Sequence, residues 1–375
     1  MLTYVFCFFI GAVLGFLASE FADRWGCSQR YRSSWQKKWG IVLASGIAAA
    51  LLYHWEVEMQ MLARFSCCPI NLREIPALYV IFVQIYIMHL ILFVFLLAAT
   101  LTDFYEMIIP DSITVVGTVL ALFTAMLFPQ AALPVTEMYW IDDSLLTVPD
   151  TIIGMHLWSP ISAGTSSLLT MTLLWWFWCF AMLDRVWYTK LPFRKASAIF
   201  CRYLYRSSRT KCLFYAALIA PLFFAVAAHS DSEQAVFSAL VGMATGMVLI
   251  WSVRLVSRWI LGIEAMGFGD VTLMGMIGAF LGWQAVLVVF FAAPFFGLVY
   301  GIVNVALGKG RAVPYGPFLC LATVFVVIFW RYVWEATAEY FAFGIGFIGL
   351  FLLVMLVLFG GLLHIVHQIF SRRRT

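Results

Sequence analysis

Long apolar blocks separated by short polar stretches dominate the chain. Most blocks hold about 17 to 25 residues, the length that a helix needs to cross roughly 30 Å of hydrocarbon. The block 271–305 is too long for one perpendicular helix and contains Gly282, so it predicts a helical hairpin whose first arm rises only about 16 Å. The pattern predicts an all-α, polytopic membrane bundle of about eleven segments. The blocks lie at 2–22, 39–55, 77–100, 112–131, 161–183, 213–228, 235–258, 271–305, 317–334 and 344–366.

Composition agrees with a membrane location. Of 375 residues, 64% are hydrophobic and 11% are charged, whereas a soluble domain carries about 25% charged residues. Too few charges are present to cover a water-facing surface, which excludes an ordinary soluble protein. We therefore expect membrane lipid to surround most of the chain.

Basic residues collect beside alternate blocks, and acidic residues collect on the other side. Cytoplasmic loops of membrane proteins carry an excess of Lys and Arg, so this bias predicts an outside N-terminus and a cytoplasmic C-terminus in the inner membrane. The longest basic stretch, 185–211, is interpreted as a solvated cytoplasmic loop, not as a nucleic-acid site. The basic clusters lie at 24–38, 185–211, 254–258, 309–311 and 372–374.

Two acidic segments stand out at the predicted cytoplasmic side. One contains Asp103 after the block 77–100, and the other contains Asp270 before the block 271–305. Ionisable residues at membrane depth are expensive and are functional candidates. Two carboxyl groups brought together can hydrolyse a peptide bond, because one activates water while the other donates a hydrogen bond to the scissile carbonyl.

The positions of these two residues suggest a division of roles. Asp270 precedes a predicted helix, and the positive end of the helix dipole favours its ionised form. Asp103 follows a long helix, where the negative dipole end and Glu106 favour its protonated form. As a hypothesis, Asp270 is the general base and Asp103 the general acid, and the two titrate as a coupled pair.

Glycines and prolines flank both acids. Gly267 and Gly269 lack Cβ atoms, which predicts a sharp turn and close approach by a substrate strand. Taken alone, this Gly-x-Gly-Asp segment is more typical of an interhelical turn with an aspartate helix cap. Its pairing with the segment that holds Asp103, Pro110 and Asp111 favours a catalytic site over a turn.

These motifs resemble those of the type IV prepilin peptidases, a family of Gly-x-Gly-Asp aspartic membrane proteases. Asp103, Pro110 and Asp111 match the family's Asp-x6-Pro-Asp/Asn pattern, and the segment 267–270 matches its second motif. Pro314 and Gly316 lie in a Pro-Tyr-Gly-Pro-Phe segment that is similar to the family's Pro-Phe-Gly-Pro-Phe segment. The resemblance covers about 77–131 and 235–330.

The resemblance implies removal of the leader peptide from prepilins or pseudopilins, with Asp103 and Asp270 as the catalytic pair. It implies cleavage after a glycine at the cytoplasmic boundary of the membrane. Asp111 carries over only as a motif residue, and we expect it to cap the helix that begins near Ser112. No metal or organic cofactor is expected.

The chain departs from the family pattern in two ways. The loop 24–38 contains Cys27 alone, so the four-ligand zinc site of many members is missing, which argues against N-methyltransferase activity. An insert separates the two acids. The predicted divisions are 1–76, N-terminal helices; 77–131, first peptidase half; 132–234, insert; 235–334, second peptidase half; and 335–375, C-terminal helix and basic tail.

Three functions compete at this point. The first is the aspartic endopeptidase, the second is a catalytically inactive scaffold or assembly factor of the same fold, and the third is a transporter that uses the two acids as a proton relay. The transporter is disfavoured because both acids lie at helix ends on one side instead of at the midplane. A metalloprotease would require a His-Glu-x-x-His motif, which the sequence lacks.

Overall fold

The computed structural model describes residues 2–25, 35–62, 76–133, 138–141, 144–147, 165–183, 193–228, 232–262, 266–307 and 314–372. Thirteen α-helices and one short π-helix, His54–Glu58, make up nearly all of these residues. The α-helices are α1 (Leu2–Trp25), α2 (Trp35–Tyr53), α3 (Pro76–Glu106), α4 (Asp111–Leu127), α5 (Thr165–Ala181), α6 (Phe193–Arg206), α7 (Ser208–Ala228), α8 (Glu233–Leu261), α9 (Phe268–Leu281), α10 (Trp283–Ala306), α11 (Gly316–Ile328), α12 (Trp330–Ala342) and α13 (Ile345–Arg372).

The predicted all-α membrane bundle is confirmed, because every apolar block corresponds to a helix. Six helices of the described chain are long and apolar enough to cross a bilayer, and the bent pair α11–α12 makes a seventh candidate. The predicted hairpin is present as α9 and α10. They meet at Gly282, whose φ of 82° lies in the left-handed region that glycine adopts without steric penalty.

Two local predictions were wrong. The block 317–334 is not one straight span, because α11 and α12 meet at Phe329 with a bend of 91°. The basic stretch 185–211 is not simply a loop: its described part forms the amphipathic helix α6 and the start of α7. Within the insert 132–234, much of the segment 134–160 lies outside the described residues, and the described part there forms two paired antiparallel strands, β1 (Met138–Ile141) and β2 (Ser144–Thr147).

The short helix α9 occupies the centre of the bundle. All of its residues from Asp270 to Leu281 are buried. It crosses α8 with the backbones in contact at Gly242 and Gly278, where an added Cβ on either residue would overlap the other's carbonyl oxygen. Small residues allow such close crossings between membrane helices, and this crossing fixes the depth at which α9 begins.

The N-terminal helices α1 and α2 form a separate hairpin that rests against α3. Gly11 and Gly15 pack against Ser45 of α2. A buried pair, His89 Nδ1 and Glu56 Oε1 at 2.7 Å, joins α3 to the π-helix. Trp55 donates its indole N–H to the carbonyl of Ile328 at 2.8 Å. The hairpin is therefore held to α3 and α11 at the end opposite Asp103.

Candidate active site

Asp103 lies within the last turn of α3, not beyond it, because that helix continues to Glu106. Its side chain is buried, with 5% of the residue exposed. The backbone N–H of Gly316 donates to Asp103 Oδ2 at 3.0 Å. The start of α11 thus orients the first carboxyl group with a backbone hydrogen bond.

Asp270 is the third residue of α9, which begins at Phe268 instead of after the aspartate. It is 8% exposed, and its Oδ2 accepts the backbone N–H of Gly267 at 3.1 Å. This bond is the reciprocal half of a capping box. The guanidinium carbon of buried Arg254 lies 5.9 Å from the centre of the Phe268 ring, and its charge interacts favourably with the Asp270 carboxylate.

The two aspartates approach each other although they lie 167 positions apart in the sequence. They interact repulsively with each other, and both also act on the buried thiol of Cys320 in α11. Two buried carboxylates that repel each other favour holding one proton between them. That state supplies one ionised and one protonated acid.

Ile109 lies between the segments that carry the two acids. A Cβ on Gly269 would lie 2.9 Å from Ile109 Cβ, and a Cβ on Gly316 would lie 2.8 Å from Ile109 Cδ1 and 2.5 Å from Asp103 Oδ2. Both glycines are therefore required by close packing. This corrects the sharp-turn explanation, because neither Gly267 nor Gly269 has a positive φ.

Asp111 does not cap α4 as predicted. The N-cap is Pro110, with φ −66° and ψ 135°, and no side chain supplies a cap hydrogen bond. Asp111 is the first helical residue, and its Oδ2 accepts a hydrogen bond of 2.6 Å from Arg209 Nη2 of α7. Pro110 fits the cap position because it has no N–H to satisfy and its φ is fixed.

Tyr315 immediately precedes the glycine that binds Asp103, and sequence reasoning treated it only as part of a motif. Burial and the nearby Asp270 raise the pKa of Tyr315 above its ordinary value, and a tyrosine hydroxyl is already protonated at neutral pH without such a shift. A neutral phenol thus lies beside the acid pair. The sequence could have drawn attention to Tyr315, because it stands where the family's Pro-Phe-Gly-Pro-Phe segment has its first phenylalanine.

An apolar groove of about 940 Å³ leads away from the acids. Thr100, Phe104 and Pro314 line the end beside Asp103, and Trp55 and Ile328 line the far end. Helices α1 and α2 form one wall, and α3, α10 and α11 form the other. The lining residues Leu90 to Phe104 of α3 extend over about 21 Å at 1.5 Å per residue, which is most of a bilayer core.

Comparison with known proteins identifies a family that part of the chain resembles. Residues 210–302, from α7 to α10, match the model of the type IV leader peptidase family. A prepilin leader peptidase/N-methyltransferase of Stutzerimonas stutzeri is 34% identical over 108 residues, 28% of this chain and 36% of that protein. Over these residues the chain is similar to the type IV leader peptidase family. It spans between about a third and just over half of the length of these curated relatives.

Two further relatives carry the same name. The protein of Pseudomonas aeruginosa is 31% identical over 110 residues, 28% of this chain and 38% of that protein. The protein of Dichelobacter nodosus is 26% identical over 188 residues, 50% of this chain and 56% of that protein. No solved structure matches the chain.

The family match is uneven along the chain. It includes Asp270 and its two glycines, but it begins after Asp103 and ends before Gly316. It also includes α7, which the sequence pattern assigned to an insert. The structure places Asp103 and Gly316 beside the matched segment.

Proposed function

We propose that this chain is a leader peptidase of the type IV family, an aspartic endopeptidase that removes leader peptides from prepilin-like or pseudopilin-like proteins at the cytoplasmic face of the inner membrane. The observation that carries the proposal is the convergence of Asp103 and Asp270. Both are buried, each accepts a backbone N–H, and each interacts with the other. A purely structural pair of like charges would be costly to bury.

In the proposed reaction, ionised Asp270 removes a proton from water and the resulting nucleophile attacks the scissile carbonyl carbon. Protonated Asp103 hydrogen-bonds the carbonyl oxygen and stabilises the charge that develops there. The tetrahedral intermediate then collapses, and the leaving amine takes up a proton from the pair. The position of Asp270 in the first turn of α9, where the helix dipole favours a negative charge, supports Asp270 as the ionised partner. This mechanism requires neither a metal nor an organic cofactor.

The groove supports a substrate with an apolar helical segment next to its cleavage site. Its inner end is lined by Phe104, the residue after Asp103, and by Pro314, two residues before the Gly316 that hydrogen-bonds Asp103. A membrane helix lying in the groove would present the residues just beyond its cytoplasmic end to the acid pair. We propose that the leader begins at this point, on the side that carries most of the chain's basic residues.

We do not extend the proposal to N-methylation, although the relatives' names include that activity. The sequence has no pair of Cys-x-x-Cys segments after the first helix. A four-cysteine zinc site therefore cannot form there. The peptidase proposal does not depend on this second activity.

The test is cleavage of a synthetic prepilin-like peptide that contains leader, glycine and apolar segment, by the purified chain in detergent. Asp103→Asn and Asp270→Asn should each lower the rate by at least about 1,000-fold, since each acid has its own role in the transition state. Glu335→Gln, which removes an exposed ion pair on α12, is the matched control and should cleave normally.

Two results would contradict the proposal. Cleavage that survives Asp103→Asn while Asp270→Asn abolishes it would remove the paired mechanism. An intact peptide at every pH, with folded wild-type protein, would favour the inactive scaffold of the same fold. Equal melting temperatures of the variants separate lost chemistry from lost folding.

A further inference from the structure

Arg209, near the start of α7, reaches across to the segment that joins α3 to α4. Its Nη2 lies 2.6 Å from Asp111 Oδ2 and 3.1 Å from the carbonyl oxygen of Met182, just after α5. The pair is partly exposed, with side-chain exposures of 44% for Arg209 and 30% for Asp111, so it fixes geometry more than it adds stability. One side chain therefore links the start of α4 to α7 and to the end of α5.

The segment that Arg209 holds is the one that packs against both acids. Ile109, two residues before Asp111, is 6% exposed and fills the space left by the missing Cβ atoms of Gly269 and Gly316. A shift of Asp111 would move Ile109 against one or both glycines. Asp270 directly follows Gly269, and the N–H of Gly316 donates to Asp103. A displacement of Ile109 would therefore change the positions of both acids.

The same segment has little freedom to absorb a displacement elsewhere. Met107 has a φ of 55°, a backbone conformation that residues other than glycine adopt only at an energetic cost. Its N–H donates to the Asp103 carbonyl at 2.9 Å, and Pro110 fixes the next turn at φ −66°. The path from Asp103 to Asp111 is thus anchored at one end by α3 and at the other by Arg209.

We propose that Arg209 is a positioning residue of the peptidase: it holds Asp111 so that Ile109 keeps Asp103 and Asp270 in their reactive arrangement. The inference rests on the proposed function and adds a residue from outside the recognised motifs. Arg209 itself does not touch the reacting atoms.

The test uses the full chain in detergent with the same prepilin-like peptide. Arg209→Gln should lower kcat by about tenfold, while KM stays within about twofold. Direct misplacement of a catalytic group by about 1 Å costs on the order of 100-fold in rate, and the effect of Arg209 is smaller because it acts through Asp111 and Ile109. Lys211→Gln is the matched control on the same helix and should behave as wild type. Arg209→Lys should recover part of the loss, since lysine keeps the charge without the planar fork.

Charge exchange gives a second readout that a general packing role would not move. Asp111→Arg and Arg209→Asp should each impair kcat by about tenfold, and the double variant should recover most of it. Failure of the double variant to recover, or wild-type kcat in Arg209→Gln, overturns the positioning role while leaving the peptidase intact. An inactive wild type overturns the proposed function and this inference together.

Discussion

Replacing Gly269 by alanine adds one methyl group where the two acid-bearing segments meet. The new Cβ would lie 2.9 Å from Ile109 Cβ and 3.1 Å from the Ile109 carbonyl oxygen, whereas ordinary contacts begin at 3.4 Å. Either Ile109 or the start of α9 must therefore move by about half an ångström. Ile109 cannot retreat easily, because its Cδ1 already lies against Gly316 on the other side.

We therefore expect Gly269→Ala to lower kcat/KM by about tenfold or more, since a misplacement of about 1 Å costs on the order of 100-fold. The free energy of unfolding should fall by only about 1 to 3 kcal/mol, as it does at other overpacked sites. The assay is initial-rate cleavage of the prepilin-like peptide at several concentrations, with thermal unfolding in the same detergent.

Two further glycines sharpen this experiment. At Gly267 the nearest atom to an added Cβ is Asp270 Oδ2 at 3.6 Å, and at Gly301 nothing lies within 4 Å. Gly267→Ala should cause a much smaller loss than Gly269→Ala, and Gly301→Ala none. Equal losses at Gly267 and Gly269 would refute the packing argument and favour a requirement for backbone freedom at both positions.

Three other predictions concern the bundle and the groove. Gly278→Ala should lower the free energy of unfolding by at least about 1 to 3 kcal/mol, because its Cβ would overlap the facing backbone of α8; an unchanged melting temperature would contradict the close crossing. His89→Ala should destabilise by about 3 to 5 kcal/mol, because it leaves buried Glu56 without its partner; a double-mutant cycle with Glu56→Gln should show strong coupling, and additivity would argue against the pair. Ala48→Trp, which fills the groove, should slow cleavage of a substrate with an apolar helix by about tenfold or more, as a misplaced substrate would, and should not slow cleavage of a short peptide that lacks the helix. Leu43→Trp, on the exposed side of α2, is the control, and equal effects of the two tryptophans would rule out the groove as the binding site.

The acids were identifiable from sequence because charge inside an apolar chain is rare and carries a physical cost. Their local settings were less predictable. Helix ends depend on a few hydrogen bonds, so α3 runs past Asp103 and α9 starts before Asp270, whereas the apolar pattern placed both residues outside their helices. Asp111 was wrongly predicted as a helix cap, because its partner Arg209 lies 98 positions away.

The sequence by itself determined the membrane character, the helical segments and the hairpin at Gly282, because burying backbone polar groups in lipid leaves the helix as the local solution for an apolar block. The tertiary structure alone decided which distant atoms meet: Gly316 with Asp103, Ile109 with Gly269, and Arg209 with Asp111. These contacts depend on how helices cross and how deeply α9 sits against α8. Close packing sets those quantities, and it acts between residues that no local pattern relates.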